Sequence, residues 1–215
     1  MERKADCWYK YVCSYDSCIN CIRYSEMKYL MEHSGIPKAR QLPISLEAGV
    51  DYNQFVLLNS IKNTITELVE NGLNLYICSN ETGNGKTSWA IKILLKYFDN
   101  VWAGNGFKIR GYFQHVPMLF NTLKDFSNNH DALKYALENA DLVVWDDIAA
   151  GKLSDYDINQ LLIYLDKRII ENKSNIYTGN ITDHKKLTQL LGSRLASRIW
   201  SGTIIELKGK DRRNG

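Results

Sequence analysis

The stretch NETGNGKT, residues 80–87, decides the fold of this chain. It follows the apolar run LNLYICS (73–79), which predicts a buried strand, and it opens into the amphipathic run KTSWAIKILLKYF (86–98), which predicts a helix. A glycine-rich turn between a strand and a helix is the setting of a P-loop, where backbone N–H groups surround a phosphate. The alternative is a glycine-rich turn that only caps the helix.

The side chains of this loop predict how a nucleotide is held. Gly83 and Gly85 let the backbone turn inward, Lys86 would reach the β- and γ-phosphates, and the hydroxyl of Thr87 would bind Mg²⁺. Asn80 stands where the P-loop pattern has its first glycine, and we expect the loop to form because asparagine tolerates a positive φ. The predicted nucleotide-binding residues are Asn80, Glu81, Thr82, Gly83, Asn84, Gly85, Lys86, Thr87, Ser88 and Asp146.

Two acidic residues end another apolar run, LVVWDD (142–147). A P-loop nucleotidase needs carboxylates at the end of a strand near the loop. We expect Asp146 to hold Mg²⁺ through water, and Asp147 to orient or deprotonate the attacking water. The alternative is that the two acids cap the turn that follows.

Two further motifs carry polar groups suited to a γ-phosphate. Asn180 ends the run SNIYTGN (174–180), where its carboxamide can position the lytic water, and the alternative is a turn asparagine. Arg194 and Arg198 lie four residues apart on one helix face, from which they can reach the γ-phosphate of a neighbouring subunit. The alternative for this pair is exposed, solubilising charge.

Around these motifs, strand and helix patterns alternate along the chain. This order predicts an α/β fold with a parallel sheet flanked by helices on both faces. The predicted strands are 73–79, 107–116, 141–147, 174–180 and 202–208. The predicted helices lie at about 51–71, 86–98, 117–126, 131–140, 154–172 and 183–199.

Composition excludes several classes of protein. The 215 residues are 45% hydrophobic and 24% charged, a soluble globular balance. No apolar run approaches the length of about 18 residues that a membrane helix needs, and residues 1–10 have no apolar signal core, so we expect a cytoplasmic protein. The net charge is only +3, but residues 185–215 hold eight Lys or Arg against two acids. This basic end can contact phosphates or be a solvated surface.

Four cysteines are crowded into the first 21 residues: Cys7, Cys13, Cys18 and Cys21. Cys18-x-x-Cys21 is a good half-site for a tetrahedral zinc ion, whereas Cys7 and Cys13 are spaced more widely than usual, with His33 as a substitute ligand. Zinc would keep a short segment with little core folded. Unpaired thiols and disulfides are the alternatives, although a cytoplasmic location disfavours disulfides.

The cysteines and prolines predict how the chain divides. We expect a cysteine-rich zinc segment at 1–34, a linker at 35–50 that holds two of the three prolines, and the main domain at 51–215. Cys78 lies inside an apolar run and is expected to pack in the core.

The motif order NETGNGKTS, LVVWDDI, YTGN and GSRLASRI resembles the AAA+ ATPase domain of DnaC/DnaI-type replicative helicase loaders. IstB-like transposition helper ATPases share much of it. The resemblance covers about residues 40–215 and implies a five-stranded parallel sheet without the C-terminal helical lid of most AAA+ proteins. By motif position, Asn180 matches sensor 1 and Arg194 the arginine finger, with Arg198 as second choice, and Arg212 or Arg213 would sense a terminal phosphate.

The resemblance also implies a function. Such a protein binds the hexameric replicative helicase through its N-terminal segment, assembles with itself in the presence of ATP, and places the helicase on single-stranded DNA. The short length and N-terminal cysteines look most like loaders of Gram-positive bacteria and their phages. The alternatives are an IstB-like transposition helper, a module that holds ATP without hydrolysis, and a small-molecule kinase. A kinase is disfavoured because 117–140 holds no arginine for a substrate lid.

Overall fold

The computed structural model describes residues 4–11, 13–14, 18, 20–40, 46–104, 106–124, 130–151 and 153–211. The strands in this part of the chain are β1 (Asn74–Cys78), β2 (Gly111–His115), β3 (Leu142–Asp146), β4 (Ser174–Gly179) and β5 (Thr203–Glu206). All five pair in parallel, in the order β2-β3-β4-β1-β5. The predicted five-stranded parallel sheet is confirmed.

Helices cover both faces of this sheet. In the described residues they are α1 (Ile22–Glu32), α2 (Tyr52–Asn63), α3 (Ile65–Glu70), α4 (Lys86–Asn100), α5 (Val116–Leu123), α6 (Asp131–Asn139), α7 (Asp155–Ile170) and α8 (His184–Trp200). Alternate side chains of β1 point to opposite faces. Leu75 and Ile77 join the core formed with α1–α4, whereas Tyr76 and Cys78 join the core formed with α5–α8. The strand is therefore apolar on both faces, as expected for a doubly covered parallel sheet.

The helix predicted at 51–71 is wrong as a single element. Thr64, with φ −104° and ψ 17°, separates α2 from α3. Its hydroxyl donates to the carbonyl oxygen of Ser60 at 3.1 Å, and this bond to the preceding turn competes with continuation of the helix.

The strand predicted at 107–116 is also shorter than expected, because it begins only at Gly111. Phe107 has a φ of 50°, and its N–H donates to the carbonyl oxygen of Gly104. A tight turn therefore occupies the start of the predicted strand.

The start of α7 agrees with the sequence pattern. Ser154 caps the helix by accepting from the N–H of Asp157, whose carboxylate in turn accepts from the N–H of Ser154. This reciprocal arrangement is a capping box, which satisfies two N–H groups at the helix start.

The N-terminal helix packs on the main core. Leu30 and Met31 of α1 are buried in the same cluster as the inner face of α4. Arg23 donates to the carbonyl oxygens of Asp99 and Val101, where α4 ends. The division of the chain at 34 and 50 stays a prediction.

No helix follows β5 within the described residues, which stop at 211. None of the described helices has both the length and the apolar character needed to span a membrane.

Candidate functional site

The loop between β1 and α4 has the conformation of a phosphate-binding turn. Gly83 and Gly85 adopt left-handed backbone angles, with φ of 65° and 104°, and Gly85 caps the start of α4. The ammonium of Lys86 lies inside the turn, 2.6 Å from the carbonyl oxygen of Glu81 and 3.3 Å from Oδ1 of Asn84. Lys86 is only 6% exposed, so its charge is directed at the space that the loop encloses.

A buried network holds the loop in shape. Asn84 is fully buried, and its Nδ2 donates to the hydroxyl of Ser79 at 2.6 Å. The same hydroxyl accepts from the N–H of Glu81 at 3.0 Å. The second half of the loop is therefore tied to the end of β1, which leaves the other N–H groups of the turn available to an anion.

Asn80 does not behave as the sequence suggests. The loop forms as expected, but Asn80 is not among the described non-glycine residues with positive φ, so its tolerance of that conformation is not the reason. Instead, its Oδ1 accepts from the hydroxyl of Thr182 at 3.1 Å. The loop forms because this side-chain contact, rather than a strained backbone, holds its first residue.

Asp146, the last residue of β3, faces the first turn of α4. Its Oδ1 accepts from the hydroxyls of Thr87 and Thr178, each at 2.7 Å, and the residue is 5% exposed. A threonine hydroxyl beside a carboxylate oxygen at a helix N-terminus is the donor set that Mg²⁺ takes in P-loop proteins. The two predicted magnesium ligands are thus brought together, and their oxygens fit the ion.

Asp147 adopts an unusual backbone conformation directly after β3. Its φ is 56°, and its N–H donates to the hydroxyl of Thr178 at 3.0 Å. Burial, and next the charge of Asp146, raise the pKa of the Asp147 carboxyl, although His115, Lys86 and Arg40 act in the opposite direction. A raised pKa suits a carboxylate that accepts a proton from water.

Asp147 also lines a cleft of about 280 Å³ between α5 and the loop after β3. Val116, Phe120 and Ile148 line the same cleft, so one of its walls is apolar. The carboxylate of Asp147 therefore lies at the wall of this open cleft, whose lining includes no residue of the phosphate-binding loop.

His115, at the end of β2, completes the acidic edge and was missed by the sequence reasoning. Its Nδ1 lies 3.2 Å from Oδ2 of Asp146 and 4.0 Å from Oδ2 of Asp147. In the part of the chain that the structure describes, these three residues are the group whose potential metal-ligand atoms lie within 4.8 Å of one another. A polar residue at the end of a predicted strand is a signal of a functional site, and the sequence contains it. The sequence does not show that β2 lies beside β3, however, because this depends on the order of the strands in the sheet.

Asn180 lies where the sequence predicts, directly after β4. Gly179, the residue before it, pairs with Cys78 and accepts from the N–H of Ser79. Because β4 lies between β3 and β1, Asn180 lies between the acidic pair and the phosphate-binding loop.

The two arginines of α8 are bound to the same acid but differ in exposure. Arg198 Nε donates to Oδ1 of Asp166 at 2.8 Å, and Arg194 lies 3.8 Å from the other oxygen. The side chain of Arg194 is 73% exposed, against 35% for Arg198. Arg198 is therefore held in the fold, whereas most of the Arg194 side chain faces solvent.

The N-terminal cysteines are all free thiols. Cys7 is buried, Cys21 caps α1 by accepting from the N–H of Tyr24 at 3.5 Å, and Cys18 accepts from the N–H of Lys4 at 3.5 Å. None of them belongs to the metal-type cluster found among the described residues, so the zinc site stays a prediction. The predicted phosphate-sensing positions Arg212 and Arg213 lie outside the described residues.

No protein-family model matches the chain, and neither does any curated protein. Solved structures do match. The DnaC helicase loader has a TM-score of 0.63 at 23% identity, over 77% of this chain and 94% of that one. DnaI has a TM-score of 0.62 at 18% identity, over 81% and 96%. Domain III of the Thermotoga maritima replication initiation protein DnaA has a TM-score of 0.55 at 15% identity, over 86% and 68%. The chain therefore shares the fold of the DnaC helicase loader, DnaI and domain III of DnaA.

Proposed function

We propose that this chain is an ATP-dependent loader that places a replicative DNA helicase on single-stranded DNA during replication initiation. The observation that supports this most directly is the joined nucleotide site, in which Lys86, Thr87 and Asp146 converge in a fold shared with the DnaC helicase loader. The likeness supports the fold, and the site supports ATP as the ligand.

ATP is bound by the loop residues 80–88. The N–H groups of the turn and the ammonium of Lys86 contact the phosphates, and the positive end of α4 favours their charge. Thr87 and Asp146 would hold Mg²⁺, which neutralises charge on the phosphates.

Asp147 and Asn180 prepare the attacking water. Asp147 carries a carboxylate with a raised pKa directly after β3, so it orients the water and accepts its proton. Asn180, between this acid and the loop, donates or accepts a hydrogen bond to the same water. The chain is thus an ATPase, and we expect turnover to be slow until a partner binds.

Arg194 provides a charge to a second copy of the chain. It is the more exposed of the two arginines on α8, and its contact with Asp166 is long. A guanidinium supplied by a neighbour stabilises the charge that develops during phosphoryl transfer, so hydrolysis depends on assembly. Arg198 takes this role only if its bond to Asp166 breaks.

Residues 1–34 form the helicase-docking segment, with zinc held by Cys7, Cys13, Cys18 and Cys21. The support is local: Cys21 accepts from the N–H of Tyr24 and Cys18 accepts from the N–H of Lys4, each at 3.5 Å, within this short segment. Metal analysis should find about one zinc per chain, and a Cys18→Ser/Cys21→Ser variant that keeps its zinc would remove this assignment.

Single-stranded DNA contacts the basic end of the chain. Lys185, Lys186 and Lys208 are exposed there. Binding through phosphates must weaken as salt rises. We expect such a loader to act in the bacterial cytoplasm and to be encoded by a bacterium or a phage.

Co-purification with the hexameric replicative helicase, with and without ATP, tests the proposal. We expect a stable complex whose DNA-bound form requires ATP. Lys86→Ala should lose ATP binding, whereas Lys92→Ala, which removes the same charge six residues further along α4, should keep it. ATP binding without any helicase complex would favour an IstB-like transposition helper, and unchanged affinity of Lys86→Ala would remove the P-loop assignment.

A further inference from the structure

The ends of β2 and β3 place an imidazole beside two carboxylates. His115 and Asp146 are paired in register in these neighbouring strands, and Asp147 follows directly. Nδ1 of His115 lies 3.2 Å from Oδ2 of Asp146 and 4.0 Å from Oδ2 of Asp147. Among the described residues, these three side chains have potential ligand atoms that all lie within 4.8 Å of one another. The pairing of the two strands therefore brings one nitrogen and two oxygens together.

The two oxygens of Asp146 face different neighbours. Oδ1 accepts from the hydroxyls of Thr87 and Thr178, each at 2.7 Å, whereas Oδ2 is the oxygen closest to His115. The side chain of Asp146 is only 7% exposed, so the two hydroxyl contacts fix its orientation. The magnesium position beside Thr87 uses Oδ1, and Oδ2 is directed at a second set of donors.

The spacing of this second set suits a metal ion. Around an ion with bonds of about 2.1 Å, neighbouring ligand atoms lie roughly 3.0–3.5 Å apart. The distance between His115 and Asp146 already agrees with this range, and the distance to Asp147 exceeds it by less than about 1 Å. The side chain of Asp147 is 33% exposed, so a small rotation can bring its oxygen closer.

The chemistry of the donors indicates the kind of ion. Mg²⁺ prefers oxygen ligands and keeps several of its waters, whereas transition-metal ions also accept an imidazole nitrogen. The donors here are one imidazole nitrogen and two carboxylate oxygens. Asp147 also lines the cleft of about 280 Å³, from which water can complete the coordination.

We propose that His115, Asp146 and Asp147 form a site for a transition-metal dication such as Mn²⁺, on the opposite oxygen of Asp146 from the magnesium position. The ion binds without nucleotide. Because it coordinates the carboxylate of Asp147, that group no longer accepts a proton from water, and ATP turnover falls. The metal site rests on these three side chains alone, whereas the inhibition rests on the proposed ATPase function.

Pulsed electron paramagnetic resonance of Mn²⁺ bound to the untagged full-length chain tests the site, without nucleotide and with Mg²⁺ in excess. Mn²⁺ has little preference for thiolates, so the N-terminal cysteines do not compete. The wild-type spectrum should show coupling to a ¹⁴N nucleus. His115→Gln should lose this coupling and bind Mn²⁺ about tenfold or more weakly. The matched control is His184→Gln, exposed at the start of α8 and outside the cluster, which should change neither result.

The absence of ¹⁴N coupling in the wild type, or equal coupling and affinity in His115→Gln, would overturn the site. The imidazole would then only share a hydrogen bond with Asp146.

Turnover with saturating ATP and Mg²⁺ tests the inhibition. Added Mn²⁺ should lower the wild-type rate severalfold and leave the rate of His115→Gln at its own value without Mn²⁺. No decrease in the wild type would overturn the inhibitory role. Failure of the proposed ATPase gives a different result, because the wild type would then bind no ATP while its ¹⁴N coupling to Mn²⁺ persists.

Discussion

The hydroxyl of Thr178 joins the carboxylate of Asp146 to the backbone of Asp147, so its removal is a direct test of the proposed site. Thr178 lies in β4 and is fully buried. Its hydroxyl donates to Oδ1 of Asp146 at 2.7 Å and accepts from the N–H of Asp147 at 3.0 Å. Thr178→Val keeps the shape of the side chain and removes both hydrogen bonds.

The expected loss in the free energy of unfolding follows from these two hydrogen bonds. A hydrogen bond to a charged group contributes about 1.5–3 kcal/mol and a neutral one about 0.5–1.5 kcal/mol, so Thr178→Val should lower the free energy of unfolding by about 3 kcal/mol. For a chain of this size the Tm should fall by roughly 6–12 °C. ATP turnover should fall by about tenfold or more, because Asp146 loses one of its two hydroxyl donors and Asp147 the contact that supports its positive φ.

Thermal unfolding, followed by circular dichroism, and ATP turnover measure the two effects. The matched control is Thr188→Val in α8, where the hydroxyl is buried without a hydrogen-bond partner among the described residues. That change should stay within about 0.5 kcal/mol of wild type or stabilise the protein. If both variants unfold at the same temperature, the hydroxyl of Thr178 does not hold the acidic pair.

Three further predictions follow from buried or paired groups. Arg168→Met should destabilise the protein by about 3 kcal/mol or more in urea unfolding, because the buried guanidinium donates to four backbone carbonyls that then lack a partner; retention of wild-type stability would contradict this. Burial raises the pKa of Cys78 to about 12, so the thiol stays protonated at pH 8, and maleimide labelling read by mass spectrometry should modify it only after unfolding. Labelling of Cys78 in the native chain would mean that its thiol in β1 is accessible to solvent. Arg194→Ala should reduce ATP turnover only in assembled complexes, whereas Arg198→Ala should lower stability by about 0.5–1 kcal/mol through the lost contact with Asp166. An equal loss of activity in isolated monomers would mean that Arg194 acts within its own subunit.

The nucleotide loop could be predicted from sequence because its parts are contiguous. Gly83, Gly85, Lys86 and Thr87 follow one another between a strand and a helix, so local backbone rules place them together. The acids at 146 and 147 could also be predicted, since the carboxyl ends of parallel strands meet at one edge.

Other parts of the site could not be predicted, because they depend on strand order. β2 and β4 flank β3 although β2 precedes it along the chain by more than twenty residues and β4 follows it by a similar distance. His115 and Thr178 therefore contact Asp146 from opposite sides. The sequence around either residue does not indicate this contact. Two local features could not be predicted from the sequence pattern either. The side chain of Thr64 bonds to the preceding turn where α2 ends, and Asn80 is held by Thr182, a residue distant in sequence.

By itself, the sequence determined the alternation of strands and helices, the phosphate-binding turn and the acidic strand end, because these depend on residues near one another along the chain. The tertiary structure decided which polar groups share the site. It exposes Arg194, binds Arg198 to Asp166, and gathers His115 and Thr178 around Asp146. The physical reason is that burial and hydrogen bonding depend on which residues are neighbours in space. The order of the strands and the packing of the helices determine those neighbours.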